Sequence, residues 1–176
     1  MSGPLFRRLL GDRFDALPGP VRALHDRETG AVSIGRGSVR GATSRLIRGL
    51  AAALGLPAPA DDVEVRVEIV PDGAGEVWTR RFGSRTMRSR LGARNGRLIE
   101  LLGPAAFEFS LTASPLGLDW TLERFCILGL PLPAAWCAGI VAAERADRER
   151  YCFDVRASLP GVGLLVHYRG WLHVGA

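Results

Sequence analysis

Lysine is missing from this chain of 176 residues: all 23 basic side chains are arginines. With the abundance of Ala and Gly, this reads as GC-rich codon usage, so arginine alone does not single out phosphate chemistry. Cysteine is scarce as well. Cys126, Cys137 and Cys152 are an odd number without CxxC spacing, which argues against a disulfide frame or a metal knuckle. They read as small buried residues in a reducing compartment. No apolar run is long enough to span a bilayer, and "MSGPLFRRLLGDRF" has no apolar core of signal-peptide length. The expectation is a cytoplasmic protein without a membrane span. Of the three histidines, His167 and His173 lie on one strand about 20 Å apart at roughly 3.3 Å per residue, and His25 is remote in sequence. No metal site and no cofactor is expected, and no Ser-His-Asp order, activated cysteine or acid pair can be assembled.

What is present suits a globular protein of one domain, residues 1–176. Hydrophobic residues make up 47% and charged residues 23% of the chain. The formal charge of +5 is local: Arg80 to Arg97 holds seven arginines and no acid, leaving −2 for the rest.

The hydrophobic period divides the chain. Residues 1–57 read as mainly helical with one short strand. "PLFRRLL" places Leu5, Phe6, Leu9 and Leu10 on one face, and "GPVRALHD" follows the Pro18–Pro20 turn. "TSRLIRGLAAALGLP" has Thr43 or Ser44 to cap it, Leu46, Ile47, Leu50 and Leu54 as its stripe, and Gly55 with Pro57 to end it. From 61 to 176 the period is two. "VEVRVEIV" alternates cleanly, as does a strand buried on one side only, and eight further strands follow over 76–82, 85–93, 97–102, 106–113, 118–126, 139–145, 151–159 and 164–174. The predicted fold is α+β: short N-terminal helices, then a strongly curved, mostly antiparallel meander forming an open or half barrel.

"AVSIGRGSVRGATSRLIRG" imitates a dinucleotide loop through Gly35, Gly37 and Gly41. The strand after it alternates instead of being apolar on both faces, and no further βα units follow. A glycine-rich strand and turn is the preferred reading.

The stretch "WTRRFGSRTMRSR" holds the most chemistry. A two-residue Gly83-Ser84 turn fixes the register, so Phe82 opposes Arg85, Arg80 opposes Met87, Trp78 opposes Ser89, and Glu76 opposes Leu91. Asn95-Gly96 then brings Glu100 opposite Leu91. Trp78, Arg80, Phe82, Met87, Ser89 and Glu100 therefore share an inner wall, while Arg81, Arg88 and Arg90 face outward. Arg80 and Glu76 are about 13 Å apart along one strand, out of direct reach at roughly 3.3 Å per residue. Each inner charge needs an ion pair, water or a ligand. For Arg80 both an internal carboxylate and a ligand remain open. Alternation over the last strand also turns Tyr168 inward. "GLPLPAAWCAG" is no central strand because of Pro131 and Pro133; it reads as a crossing or lid-like segment anchored by Trp136. Aromatics and outer arginines lie on opposite faces, which disfavours nucleic acid.

Five ordered motifs, "FRRLLGDRFDALPGPVRALHD", "GEVWTRRFGSRTMRSRL", "IELLGP", "LGLPLP" and "LLVHYRGWL", resemble the bacterial family known as domain of unknown function 4166. The resemblance runs over nearly the whole chain and points to Trp78, Arg80, Phe82, Ser89, Glu100, Tyr168, Gly170 and Trp171. It implies no established activity. In some relatives the domain follows a saccharopine-dehydrogenase-like reductase domain, so the resemblance also implies a reductase-like partner protein.

These residues support three functional expectations. The first is a small-molecule-binding domain for an apolar or amphipathic ligand with a polar or anionic end, held by Arg80, Trp78, Phe82, Met87, Ser89, Glu100 and Tyr168. The second is an isomerase or hydrolase with Glu100 or Glu76 as base and Arg80 as electrostatic stabiliser. The third is an interaction module docking on an acidic partner through Arg81, Arg88 and Arg90.

Overall fold

The alternation that begins at Asp61 does not stop at an open edge. The computed structural model describes residues 3–175, the side chain of Leu50 excepted. It contains helices α1 (Leu5–Leu10), α2 (Gly19–His25) and α3 (Arg45–Ala53), and 3-10 turns over Gly11–Ala16 and Ala134–Gly139. The strands are β1 (Ala31–Gly41), β2 (Ala60–Asp72), β3 (Gly75–Phe82), β4 (Arg85–Arg94), β5 (Arg97–Leu102) and β6 (Ala105–Ser114). They continue as β7 (Gly117–Ile127), β8 (Leu130–Pro131), β9 (Ile140–Asp147), β10 (Arg150–Leu159) and β11 (Gly163–His173). All pairs are antiparallel. β1 to β7 follow one another around the wall, β9, β10 and β11 complete it, and β11 returns to β1. Ten strands thus close into a barrel, with β8 paired outside the ring to β7.

Closure corrects the expected open or half barrel. Two ladders bring it about, neither visible in local pattern: β1 with β11, and β7 with β9. The strand expected to be short, "AVSI", runs on through its glycines to Gly41 and bridges β2 and β11. Gly35 explains how. A Cβ there would stand 1.8 Å from the carbonyl oxygen of Trp171, so the two strands cross at a separation that only glycine permits. Glycines that lower strand propensity in a flat sheet are here the condition for a sharply coiled one.

The turns behave as their residues require. Asn95 and Gly96 both take positive φ, 51° and 72°, as a type I′ hairpin demands, and Gly83 takes 56°. The resulting registers are Glu76↔Leu91, Trp78↔Ser89, Arg80↔Met87, Phe82↔Arg85 and Leu91↔Glu100.

The barrel has two ends. The first carries the β2–β3, β4–β5, β6–β7 and β9–β10 turns. It is closed by α1, the following 3-10 turn and α2, which pack on β4, β6, β9 and β10. Their apolar faces, with Phe6, Phe14, Val21 and Leu24, are fully buried and complete the core of the ring. The second end carries the β3–β4, β5–β6 and β10–β11 turns, α3, β8 and the 3-10 turn before β9. On α3 the expected stripe is not all buried: Ile47 packs on the core, but Leu46 is 83% exposed. Helical spacing sets which residues share a face, not whether a neighbour covers it.

Candidate functional site

Inside the ring, between α2 and the second end, lies a cavity. Its volume is ≈ 80 Å³. That is space for several waters or a small molecule, since one water needs about 10–15 Å³. The walls are mainly apolar, from Val65 and Val67 on β2, Phe109 on β6, Trp120 on β7, Phe153 on β10 and Leu24 of the plug. Among them stand Arg80, Glu100, Glu144, Tyr151 and Tyr168.

Arg80 is held from three sides. Its Nη1 donates to Ser89 Oγ at 2.8 Å and to Glu100 Oε1 at 3.1 Å. Its guanidinium carbon stands 4.6 Å from the ring centroid of Trp78, a cation–π contact away from water. Burial, the largest single influence, works to lower its pKa, but the Glu100 carboxylate together with Tyr168 and Tyr151 raises it overall, so Arg80 stays charged. Among the described residues no partner engages its Nε or Nη2. One nitrogen of Arg80 is thus closed by a protein carboxylate, and the side chain lines the cavity.

The expected wall residues divide into two groups. Trp78, Arg80, Phe82, Glu100 and Tyr168 come together around the cavity. Met87 is buried in the core outside its lining, and Ser89 stands behind Arg80 as a hydrogen-bond acceptor. Glu76 is buried with its carboxylate accepting from Trp78 Nε1 at 2.8 Å, so it is satisfied within its own strand. On the outer face Arg81, Arg88 and Arg90 are exposed, and Arg90 meets Asp72 at 2.6 Å.

The sequence reading missed a second polar group. His25, at the end of α2, donates from Nε2 to Glu144 Oε2 on β9 at 2.6 Å, with both side chains almost fully buried. The imidazole packs against both Phe6 and Trp78, with centroids at 3.8 and 5.7 Å, and its Nδ1 has no partner among the described residues. Tyr151 faces Glu144: burial first, then that carboxylate, hold the phenol protonated well above its ordinary range. Burial likewise pushes Tyr168 up to about 12. Alternation of Ile140, Ala142 and Glu144 offered a hint for the acid. Nothing local ties His25 to a strand 119 residues away.

The family model described as Domain of unknown function (DUF4166) matches residues 17–172. The chain belongs to this family. The matched region of this DUF4166 protein takes in α2, the whole ring and every residue lining the cavity. No curated protein and no solved structure matches it.

Proposed function

We propose that this DUF4166 barrel binds a small, mainly apolar molecule whose polar end is a neutral hydrogen-bond acceptor such as a carbonyl. The observation that carries this reading is the hydroxyl of Tyr168. It lines the cavity without forming a hydrogen bond among the described residues, and Trp120 Nε1 in the same wall is a buried donor with no partner there, whereas buried polar groups are ordinarily satisfied. Arg80 presents further unengaged N–H groups to the same space. Donors facing a cavity select an acceptor. Glu100 already neutralises Arg80, and Glu144 adds a second carboxylate, so a polar end fits better than an anionic one. Trp78, Phe82 and Phe153 supply the apolar wall.

Native mass spectrometry of gently purified protein, followed by titration with short ketones, alcohols and carboxylic acids while tryptophan fluorescence is recorded, tests the reading. Neutral acceptors should perturb the signal from Trp78 and Trp120, and Tyr168→Phe should weaken them by up to about tenfold, the worth of one neutral hydrogen bond. No retained ligand and no response to any of the three classes would sink it.

One observation favours a second reading, an acidic docking partner. Arg66 on β2 stands directly opposite Arg81, a like-charge pair that costs stability in a sheet. No carboxylate lies within 4 Å of Arg66, Arg81 or Arg88 among the described residues. Salt-sensitive co-purification, lost in Arg81→Gln/Arg88→Gln, separates this reading from the cavity.

A further inference from the structure

The second end of the barrel has a surface unlike the rest. Residues 127–143 are seventeen consecutive positions without a charged, hydroxyl or amide side chain. Some fold away, Cys137 and Ile140 being buried, but the tip does not. Leu128 is 79% and Leu130 70% exposed, Val141 is 50% exposed, and Pro131, Pro133, Ala134 and Ala135 are exposed beside them. Leu46 of α3 adds a further exposed leucine at the same end.

The backbone holds the tip outward at a cost. Leu128 and Gly129 both take positive φ, 51° and 78°, the same pair of conformations as Asn95-Gly96 elsewhere in the chain. Asn suits the first of those positions, and leucine there is strained. The amide of Leu128 is fixed by the carbonyl of Pro104 at 2.8 Å, and Pro131 and Pro133 stiffen the segment leading to the 3-10 turn. A large apolar side chain in a strained, solvent-facing turn points to a use for that side chain.

Charge selects the occupant. The connections at this end, residues 42–59, 83–84, 103–104, 128–139 and 160–162, contain no acidic residue. Exposed arginines outnumber the acids around them: Arg45 and Arg48 on α3, Arg85 at the start of β4, Arg124 near the end of β7 and Arg156 directly across from Val141, against Asp61 and Asp62 at the start of β2 and Glu123 on β7. A second copy of the chain would set these cations against their like. A protein partner would ordinarily find hydrogen-bonding groups across the patch, about one bond per 100–200 Å², and the exposed side chains of the segment offer none. Apolar tips with a tryptophan at their base, Trp136, and arginines around them match a bilayer interface carrying anionic headgroups.

We infer that the second end of the barrel docks on an anionic lipid surface, inserting Leu128 and Leu130 and setting the flanking arginines among the headgroups. Val141 belongs both to this surface and to the cavity lining. The surface alone supports the docking, and it stands whether or not the cavity takes a ligand.

The test is co-sedimentation of the full chain with vesicles of phosphatidylcholine alone and of phosphatidylcholine mixed with phosphatidylglycerol. The protein should pellet with the mixed vesicles and be released by salt. Leu128→Asn/Leu130→Asn should lower partitioning at least about tenfold, since each leucine buried in the interface contributes through its whole side chain. That variant should fold normally, because Asn suits the conformation of residue 128 and both leucines are exposed. Arg45→Gln/Arg48→Gln should erase the preference for the anionic vesicles. Tyr168→Phe should leave vesicle binding unchanged even where it weakens a cavity ligand, so the two readings fail separately. No pelleting with the mixed vesicles, or equal pelleting of the double-leucine variant, overturns the inference. So does a concentration-dependent dimer that the same variant abolishes.

Discussion

Arg80 and Glu100 come from strands that are not neighbours, β3 and β5, and meet at 3.1 Å across the inner face of β4. Their side chains are only 10% and 13% exposed, so neither can fall back on bulk water. Removing one charge leaves the other stranded, which costs about 3–5 kcal/mol in buried pairs. Arg80→Met should therefore destabilise the barrel by roughly 3 kcal/mol or more, and Arg80→Met/Glu100→Gln should recover much of that loss. Denaturant midpoints at neutral pH read the difference. Equal stability of Arg80→Met and the parent would show that the pair is solvated after all.

His25 ties the helical plug to the wall through Glu144, so its replacement acts on both. His25→Leu keeps the packing with Phe6 and Trp78 but strands the Glu144 carboxylate, and should cost roughly 3 kcal/mol. Glu144→Gln in the same background should be less damaging than His25→Leu alone, because a neutral amide is easier to bury. Chemical denaturation of the two variants decides the order.

The chain has two tyrosines, and both line the cavity. A phenolate titration of the folded protein thus reports on the cavity alone. Tyr168 is raised from its ordinary 10.0 to about 12, and Tyr151 is raised as well. A raised folded-state value means that the native state holds the proton more tightly than the unfolded one. The stability this represents is complete below about pH 10 and is lost as pH rises through about 12. Near pH 11 the folded protein should show at most about a tenth of the phenolate absorbance seen in denaturant. Ordinary titration of both residues in the native state would place them in contact with solvent.

Glycines of the ring differ sharply in what they tolerate. Gly35→Ala would set a Cβ 1.8 Å from the carbonyl oxygen of Trp171 and should break the β1–β11 ladder, at a cost above about 3 kcal/mol. Gly92, on β4, has nothing within 4 Å of its notional Cβ and lacks a positive φ. Gly92→Ala should leave stability unchanged or raise it by about 0.5 kcal/mol. Thermal melts of the two variants make a direct comparison.

The features legible in the sequence were those set by neighbours in the chain. Gly83-Ser84 and Asn95-Gly96 fix hairpin registers on the spot, and from them the alternation carries Trp78, Arg80 and Glu100 to one face. Tyr168 was legible for the same reason. Closure was not. It depends on ladders between strands remote in sequence, and the strand that completes the ring hides its period behind Gly35 and Gly37. The His25–Glu144 pair lay beyond reach too, because no local pattern says which strand an N-terminal helix will cover.

A closed ring has no first and no last strand, so no strand of it stands as a full open edge for another chain. Among the described residues, the one strand left outside the circuit is β8, which pairs only with β7. Pro131 and Pro133 deny that strand the amides with which a neighbour would register. The most apolar and exposed part of the molecule is thereby barred from growing into a sheet, and can remain oily in solution without seeding fibrils.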